Sequence, residues 1–516
     1  YAFRIIYSMN AIFWSGGIRL GTFMRYIGPY KISHWLRKHG YTSQVIDFAS
    51  AATEDYLYKL TKKFITQDTR VIGISTTFII STIFDVAREN TWSDGTLCLL
   101  PEHMVKVAHR IKKEHPKIKF ILGGYKSEVV ESFGIIDASI MSYTSASEDI
   151  MLEYLEHLTS GKPLPKGQLI FTEDTTTGEK QHRMVYNIAN NPRYNIELDD
   201  FKFTKQDCIL PGEPLPLDVS RGCIFACRFC QYAHLGKGKL DYIRGMEYLE
   251  QEMLENYNNF GTTSYYILDD TFNDTEIKMK AFYEMTQRLP FKISYTSYLR
   301  ADLIDRFPDM AYYIKESGCF GAYHGVESFH PSASKIIGKA WSGKRGKEFL
   351  PHLYHDIWKD SVPMHTNFIV GITTDTKQNI DDTISWFKDN KMHSIWFNAL
   401  GIYGTDNSNS MFAVKSEFDK NPEKYGYTML GIDDNKYTVW KNDNWDTDLA
   451  WRYTEKICAE ASAVTKIHVW KTPSLLWQGY TKEDIMTKYN KTVPWNDIFE
   501  KLIQKQREYW KMLLSL

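Results

Sequence analysis

The spacing of hydrophobic and polar positions predicts two α/β units in series. Over the first 160 residues, short apolar runs of strand type alternate with stretches in which apolar residues recur every three or four positions. That alternation is typical of a doubly wound parallel sheet with helices on both faces. The predicted strands are residues 3–8, 43–48, 71–76, 119–122 and 138–141, and the predicted helices are 30–39, 55–65, 103–114 and 146–158.

A second alternating pattern runs from residue 211 to residue 405. The functional residues of β/α barrels lie at the carboxyl ends of their strands, so candidates are sought there. The predicted strands are 217–220, 264–268, 292–297, 321–326, 365–370 and 394–400, and the predicted helices are 246–258, 276–288, 303–317, 344–359 and 380–389.

These patterns divide the chain into four segments. Residues 1–160 suit a flavodoxin-like sheet, whose ligands bind beyond the carboxyl ends of the strands. Residues 161–210 have little periodicity and are interpreted as a connector, and residues 211–405 hold the six β/α units. From residue 406 the chain is first turn-rich and aromatic and then mostly helical, which indicates a separate tail region.

Composition narrows the possible partners and the compartment. Lys and Arg total 62 against 63 Asp and Glu, so the charge gives no reason to expect capture of nucleic acid or of a membrane surface. No apolar run reaches the roughly 18 residues of a membrane span, and no signal peptide is visible. Seven cysteines, an odd number with three clustered, argue against a disulfide framework. We therefore expect a cytoplasmic protein.

The strongest candidate for chemistry is the cysteine group Cys223, Cys227 and Cys230, directly after the first strand of the second pattern. Three thiolates cannot fill the four ligand positions of a structural zinc ion or of a standard iron–sulfur cluster. A cubane cluster held by three cysteines leaves one iron open to a substrate or cosubstrate. The alternative is a chance grouping of buried or zinc-binding cysteines.

The C-x3-C-x2-C spacing, with Phe229 just before the last cysteine, resembles the cluster loop of the radical S-adenosylmethionine (SAM) superfamily. The resemblance implies a partial (β/α)6 barrel and a [4Fe–4S] cluster whose open iron chelates the amino and carboxylate groups of SAM. It also implies an external electron donor of the flavodoxin or ferredoxin type. Phe229 is then expected to lie against SAM.

Two strand ends resemble the family's SAM contacts through polar side chains. Asp269 and Asp270 follow the second strand, where an acceptor for the SAM amino group is expected. They are equally suited to bind a cation or to cap the next helix. Arg300 follows the third strand, where a guanidinium contacts the SAM carboxylate. Its alternative is a salt bridge to Asp302 or to the acidic turn.

The fourth and fifth strands extend the resemblance. Glu327 ends the fourth strand in a Gly-Val-Glu-Ser run and is expected to face a SAM ribose hydroxyl or the substrate. Its alternative is a structural ion pair with a lysine or arginine of the barrel, since a buried glutamate needs a partner. Val370 lies in the run of the fifth strand whose backbone flanks adenine in the family.

The first segment resembles the cobalamin-binding domain that precedes the barrel in one large subfamily. The resemblance rests on the helix end at 36–40, the hydroxyl-rich turn of Ser75 and Thr76, and the pair Gly123 and Gly124. It implies cobalamin binding by these four residues of the turn and the glycine pair. The loop at 9–19 contains no histidine, so an Asp-x-His-x-x-Gly ligand is missing, and residues 143–148 replace a Gly-Glu-Gly-Glu turn. The alternative is a domain that has this fold but no longer binds cobalamin.

The function expected from the resemblance is reductive cleavage of SAM by a radical SAM enzyme. With cobalamin it becomes a methyltransferase acting on an unactivated carbon, or on phosphorus, of a small molecule or peptide. Alternatives are a cobalamin-independent enzyme of rearrangement or cyclisation, a methylthiotransferase, and a non-catalytic iron–sulfur scaffold. A methylthiotransferase needs three more cysteines in the first segment, which holds only Cys98.

Overall fold

Two β-sheets, built mostly from parallel strands, dominate the computed structural model of the chain. The structure describes residues 8–16, 22–76, 100–124, 135–141, 146–173, 180–187, 200–230, 244–339, 341, 343–403, 415–432, 438–487 and 494–516. Each sheet meets the other at the edge where its strands end, and a C-terminal region packs against both.

The first sheet has seven strands in the order β2-β1-β3-β4-β5-β7-β6. Its first five strands are parallel and follow the order 2-1-3-4-5 of flavodoxin-like sheets, as expected from the sequence. The strands are β1 Ala11–Trp14, β2 Ser43–Ile46, β3 Val71–Ser75, β4 Lys119–Gly123, β5 Ile136–Met141, β6 Gln168–Glu173 and β7 Lys180–Asn187, and the helices are α1 Ile27–Lys38, α2 Glu54–Phe64, α3 Glu102–Glu114 and α4 Ala146–Ser160.

The first sheet differs from the prediction in two places. The strand beside β2 and β3 is Ala11–Trp14, inside the stretch interpreted as a loop, and all four of its residues are buried. A central parallel strand is covered on both faces and therefore shows no alternation. The strand expected at 3–8 lies outside the described residues except for Ser8. Strands β6 and β7 form an antiparallel pair that extends the sheet through the presumed connector.

The second sheet has six strands, all parallel and in sequential order. This is the arrangement that six successive β/α units predict. The strands are β8 Leu215–Asp218, β9 Ser264–Leu268, β10 Ser294–Leu299, β11 Cys319–Glu327, β12 Met364–Val370 and β13 Ser394–Ala399, and the helices are α5 Met246–Phe260, α6 Glu276–Arg288, α7 Ala301–Arg306, α8 Asp309–Glu316, α9 Pro331–Ile336, α10 Gly343–Pro351 and α11 Lys377–Asp389.

The C-terminal region is mostly helical, as expected, with one two-stranded antiparallel sheet. Helix α13 packs against β13, and helix α16 packs against α2 of the first sheet. No helix among the described residues is long and apolar enough to cross a membrane. The elements are α12 Glu417–Lys420, β14 Thr428–Ile432, β15 Thr438–Lys441, α13 Thr447–Val464, α14 Thr472–Trp477, α15 Lys482–Met486 and α16 Trp495–Ser515.

A buried polar cluster fastens these parts together. Arg25 donates from Nε and Nη2 to the Glu213 carboxylate at 2.5 and 2.9 Å, and both side chains are fully buried. The Tyr30 hydroxyl donates to Asp47 Oδ2 at 3.1 Å, and the Asp47 backbone N–H donates to the Tyr509 hydroxyl at 2.9 Å. The first sheet, the approach to β8 and the last helix therefore share one network. Its parts come from segments too far apart in sequence to be paired by pattern alone.

Asp47 makes the stability of this cluster depend on pH. Burial raises the pKa of Asp47 to about 6, although Arg25 opposes the rise. The folded protein therefore holds a proton that the unfolded chain releases near pH 4, so the free energy of unfolding falls as pH rises through this interval. Between pH 4 and pH 7, we expect the free energy of unfolding of the wild-type protein to fall by about 3 kcal/mol relative to that of Asp47→Asn. Thermal midpoints of both proteins between pH 4 and pH 7 test this, and parallel profiles would contradict it.

Candidate functional site

The three clustered cysteines lie in a loop that leaves the carboxyl end of β8. The Arg228 N–H donates to the Ile337 carbonyl at 2.9 Å, which ties the loop to the rest of the protein, and the Cys230 N–H donates to the Cys227 carbonyl at 3.0 Å within the loop. Gly222, just before the first cysteine, has a φ of +78°, a conformation that glycine adopts without strain. Because of these contacts, the thiols are presented at the strand ends of the second sheet.

The thiols sit half-buried among polar groups. Cys223 Sγ lies 3.1 Å from Thr271 Oγ1, and Cys227 Sγ accepts a hydrogen bond from Arg300 Nη1 at 3.7 Å. Burial raises the pKa of Cys223, so its deprotonation needs a cation or metal nearby. Within the described ranges, no three His, Cys, Asp or Glu side chains are grouped to hold one metal ion. In a cubane, each of the three cysteines would bind a different iron.

Arg300 connects the third strand end to the cysteine loop. Its guanidinium donates to both oxygens of Asp302, at 3.0 and 2.7 Å, and lies 4.1 Å from the centre of the Phe225 ring. Its backbone exchanges hydrogen bonds with the Asn273 side chain at 2.8 and 2.9 Å. The alternative of a salt bridge to Asp302 is thus realised, while Nη1 still points to Cys227. Arg300 therefore stays the candidate to bind an anionic group, such as the carboxylate of SAM, beside the cluster.

The two aspartates after β9 have different surroundings. Asp269 is buried, pairs with Lys278 Nζ at 2.7 Å and accepts the Thr271 N–H at 3.0 Å. Helix α6 is capped by Thr275, which accepts the Lys278 N–H at 3.3 Å, so neither aspartate is needed as the cap. Asp270 is only half-buried. Asp270 therefore stays the candidate for the SAM amino group, whereas the oxygens of Asp269 are already engaged by Lys278 and Thr271.

Glu327 and Val370 are both engaged by protein groups. Glu327 Oε1 pairs with Lys339 Nζ at 2.9 Å, and Lys339 also donates to the Gly325 carbonyl. This ion pair is the structural alternative given for Glu327 in the sequence analysis. Glu327 is the last residue of β11, and its φ of +72° is strained for a residue other than glycine. The buried Val370 offers its carbonyl to the Leu400 N–H at 2.8 Å. Phe229 is partly buried and packs against the core.

A cavity of about 330 Å³, partly open to solvent, lies where the strand ends of the two sheets meet. Ligand pockets usually span about 300–1,000 Å³, so this one lies at the lower end of that range. Ser75, Gly123 and Gly124 line it from the first sheet, and Arg221 and Leu268 close it from the second. It is therefore bordered by the loop that carries the cysteines. Its apolar lining includes Phe13, Ile32, Ile74, Ile121, Ile140 and Met151.

Two features of this cavity fit an amide-bearing cofactor such as cobalamin. A Cβ added at Gly123 would meet nothing within 4 Å, so the glycine leaves open space above the sheet. Glu148 is 3% exposed, and its Oε2 has no hydrogen-bond partner, so it can accept an amide N–H of a ligand. Thr76 instead turns inward and donates to the Gly123 carbonyl at 2.9 Å. Histidine is absent from the described lining, in line with the missing Asp-x-His-x-x-Gly motif.

A charged network, which the sequence interpretation missed, joins the cavity to the cysteine loop. Arg221 lies 3.7 Å from Glu148 Oε1 and 3.5 Å from Asp218 Oδ2, and Asp218 pairs with the buried Lys31 of α1. Burial opposes the shift, but Lys31 and Arg221 hold the pKa of Asp218 below its usual value. Burial raises the pKa of Glu148. The position of Arg221, two residues before Cys223, was the available signal.

Some predicted or possible site residues lie outside the described ranges. They include Thr77, residues 17–19 of the histidine-free loop and residues 143–145. His234, four positions after Cys230, is a further potential metal ligand that the sequence interpretation passed over. It lies outside these ranges as well.

Comparison with known proteins agrees with this geometry. The model of the Radical SAM superfamily matches residues 217–387. A curated relative, an uncharacterized methyltransferase of Pyrococcus horikoshii (PH0819), is 27% identical over 242 residues, which cover 46% of this chain and 50% of the relative. The match thus spans about half the length of that relative.

Two solved structures resemble almost the whole chain. The radical SAM methyltransferase TsrM of Kitasatospora setae, with cobalamin and a [4Fe–4S] cluster bound, is 14% identical with a TM-score of 0.59, covering 97% of this chain and 99% of TsrM. The cobalamin-dependent SAM radical enzyme OxsB, with aqua-cobalamin and SAM bound, is 13% identical with a TM-score of 0.57, covering 98% and 72%.

Residues 217–387 form a radical SAM domain. The overall fold of the chain is similar to the folds of TsrM and OxsB. The resemblance read from the cysteine spacing is confirmed. The [4Fe–4S] cluster and SAM follow as the cofactors of this domain.

Proposed function

We propose that the protein is a cobalamin-dependent radical SAM methyltransferase. Its acceptor would be an unactivated carbon, or phosphorus, of a small molecule or peptide. The observation that carries the proposal is the cavity shared by the two sheets, lined by Gly123 on one side and by Arg221 of the cysteine loop on the other. A cofactor in this cavity lies next to the cluster loop. The names of TsrM and of the Pyrococcus relative, both methyltransferases, support the reaction type.

The residues of the second sheet divide the work at the cluster. Cys223, Cys227 and Cys230 hold the cluster and leave one iron open. Asp270 accepts from the amino group of SAM, and Arg300 donates to its carboxylate. When bound, the reduced cluster supplies one electron for SAM cleavage, and cobalamin supplies a carrier for the methyl group.

Further contacts hold SAM and exclude water. Phe229 packs beside SAM, the backbone at Val370 flanks the adenine, and Glu327 faces the ribose once its ion pair with Lys339 is exchanged. Because these groups lie on separate strand ends of one sheet, they hold SAM in a fixed orientation to the thiols.

The first sheet supplies the cobalamin site. Gly123 and Gly124 give the space, the Ser75–Thr76 turn borders it, and Glu148 accepts an amide of the corrin. We assign the cobalamin-binding part to residues 1–160, the connector to 161–210, the partial barrel to 211–405 and the capping region to 406–516. The electron comes from an external donor of the flavodoxin or ferredoxin type.

A cobalamin-independent rearrangement or cyclisation is the second candidate, favoured by the absence of a histidine from the described cavity lining. The two functions differ in what they make from SAM. In the methyltransferase, a SAM molecule that gives up its methyl group would become S-adenosylhomocysteine. A SAM molecule cleaved by one electron would give methionine and a 5′-deoxyadenosyl radical, which becomes 5′-deoxyadenosine when it takes a hydrogen atom from the substrate.

The test is an anaerobic incubation of cluster-loaded protein with SAM and titanium(III) citrate, with and without hydroxocobalamin. We expect 5′-deoxyadenosine in both reactions and S-adenosylhomocysteine only with cobalamin. 5′-Deoxyadenosine without S-adenosylhomocysteine in either reaction would support the cobalamin-independent function. Formation of neither product would leave the non-catalytic scaffold.

A further inference from the structure

The thiols and the backbone of the cysteine loop contact different parts of the protein. The thiols of Cys223 and Cys227 contact polar groups at the strand ends of the second sheet. The backbone of Arg228 has other neighbours: its N–H donates to the Ile337 carbonyl, just beyond helix α9, and its carbonyl accepts the Phe418 N–H at 3.0 Å. The loop therefore has a thiol side, where SAM is expected, and a backbone side that lies against α9 and the C-terminal region.

The backbone side of the loop reaches the surface of the protein. Ala226, which lies between the first two cysteines, is exposed. Its carbonyl is 3.4 Å from the position that a Cβ on Gly338 would take, so the end of α9 borders it closely. Ile336, the last residue of α9, is half-buried there. A protein that contacts Ala226 is thus separated from the cluster only by the loop itself.

Positive charge surrounds this exposed alanine. Arg228 Nη1 donates to the carbonyls of Lys335 and Ile336 at 3.0 Å each. Its guanidinium lies 5.4 Å from the centre of the Tyr425 ring, and Lys424 Nζ lies 5.5 Å from the same centre. We call Arg228, Lys335 and Lys424 the basic rim. Within the described residues none of the three is paired with a carboxylate, and both lysines are exposed.

The chain concentrates this charge locally. Its net charge is −1, yet residues 328–347 contain five Lys or Arg residues and no Asp or Glu. Lys339 and Arg345 of this stretch are paired with Glu327 and Asp305. The stretch stays positive after both pairs are counted. A positive surface on a protein with almost no net charge favours an acidic partner at that one place.

Carboxylates beside the basic rim reduce its charge without cancelling it. Glu417 lies 3.8 Å from Lys420, so these two charges offset each other. Glu423 is exposed next to Lys424 and offsets one of the three cations of the rim. The rim therefore keeps a positive charge toward solvent.

We propose that the basic rim and the exposed Ala226 form the docking surface for a flavodoxin. The edge of a flavin is flat and apolar and fits the surface of Ala226 and Ile336, and carboxylates around the flavin fit the rim. In the complex, reduced flavodoxin is oxidised by one electron and the cluster is reduced by one, and no bond forms or breaks. This proposal names the partner of the proposed methyltransferase and rests on that function.

Reversing the charge of the rim tests the surface. Lys335→Glu/Lys424→Glu changes two exposed side chains outside the cysteine loop. Titration calorimetry of cluster-loaded protein with a purified bacterial flavodoxin, in about 0.05 M salt, should show binding weakened by at least about tenfold. In about 0.5 M salt the difference from wild-type protein should shrink, because salt screens exposed charges.

Lys59→Glu/Lys113→Glu is the matched control. It makes the same change in net charge at exposed positions of α2 and α3 in the first sheet. The control should bind flavodoxin as wild-type protein does, and all three proteins should have the same iron content. Excess titanium(III) citrate should give 5′-deoxyadenosine at the same rate in all three, whereas limiting reduced flavodoxin should give it about tenfold more slowly in the rim variant alone.

Several outcomes would overturn the docking surface. Unchanged flavodoxin binding in the rim variant is one, and equal weakening in the control is another, because the effect would then follow net charge alone. Weakened binding of a ferredoxin but not of flavodoxin would assign the rim to that carrier instead. If titanium(III) citrate still yields S-adenosylhomocysteine in the presence of cobalamin, the proposed function stands in each of these cases. Loss of flavodoxin binding in the rim variant, without any S-adenosylhomocysteine from wild-type protein, would refute the methyltransferase and keep the docking surface.

Discussion

Cys223→Ala, Cys227→Ala and Cys230→Ala proteins are each expected to hold background iron and sulfide after anaerobic reconstitution and to form no 5′-deoxyadenosine. A cubane already lacking one protein ligand would keep only two, and metal binding would favour the thiolate of Cys223, whose pKa burial raises, with the proton released to solvent. We expect SAM cleavage to fall by at least about 100-fold in each variant. Iron and sulfide assays together with product analysis by mass spectrometry measure both effects.

Cys458→Ala is the matched control. This cysteine is buried in α13, where its thiol donates to the Phe397 carbonyl, far in sequence from the loop. The control should retain the iron and the SAM cleavage of wild-type protein. Full iron content in all three loop variants would refute the assignment of the cluster to the triad, and equal loss in Cys458→Ala would point to general misfolding.

The second large effect is expected from Gly123→Leu, which should weaken cobalamin binding by about 100-fold or more. Gly123 ends β4 without a positive φ, and an added Cβ meets no atom within 4 Å. The leucine side chain can therefore extend into the cavity without displacing the protein around it. Cobalamin affinity is measured by absorbance titration of cluster-loaded protein.

Gly123→Ala gives the graded control for this prediction. One methyl group fills less of the cavity, so the loss of affinity should be smaller than for leucine. Both variants should keep the iron content and the thermal midpoint of wild-type protein, because neither touches the cysteine loop. If Gly123→Leu binds cobalamin as tightly as wild-type protein does, cobalamin does not occupy this cavity.

Much of the fold was predictable because buried parallel strands can be recognised in the sequence as short apolar runs between amphipathic helices. The six strands of the second sheet appear in the predicted order, and four of the first five strands of the first sheet overlap their predicted ranges. The position of β1 was missed since Ala11–Trp14 is buried on both faces and has no alternation. The β6–β7 pair was missed because residues 161–210 were interpreted as a connector on account of their weak periodicity and their Gly and Pro residues.

The candidate site was predictable at the cysteines and less so at their neighbours. A fixed spacing identifies Cys223, Cys227 and Cys230, but the partners of an acidic residue depend on the tertiary fold. Asp269 faces Lys278, and Glu327 faces Lys339, two pairings that strand-end position alone does not distinguish from ligand contacts.

The cavity could not be predicted from any single segment of the sequence. Glu148 and Arg221 lie 73 positions apart in sequence and meet only where the two sheets join. That junction, rather than any single motif, supports the assignment of cobalamin to this protein.

The most direct test of the central claim is an anaerobic titration of cluster-loaded wild-type protein with hydroxocobalamin, followed by absorbance. The account predicts one cobalamin per chain, saturation at micromolar concentration and a base-off spectrum. A spectrum that stays that of free cobalamin at every protein concentration would contradict it.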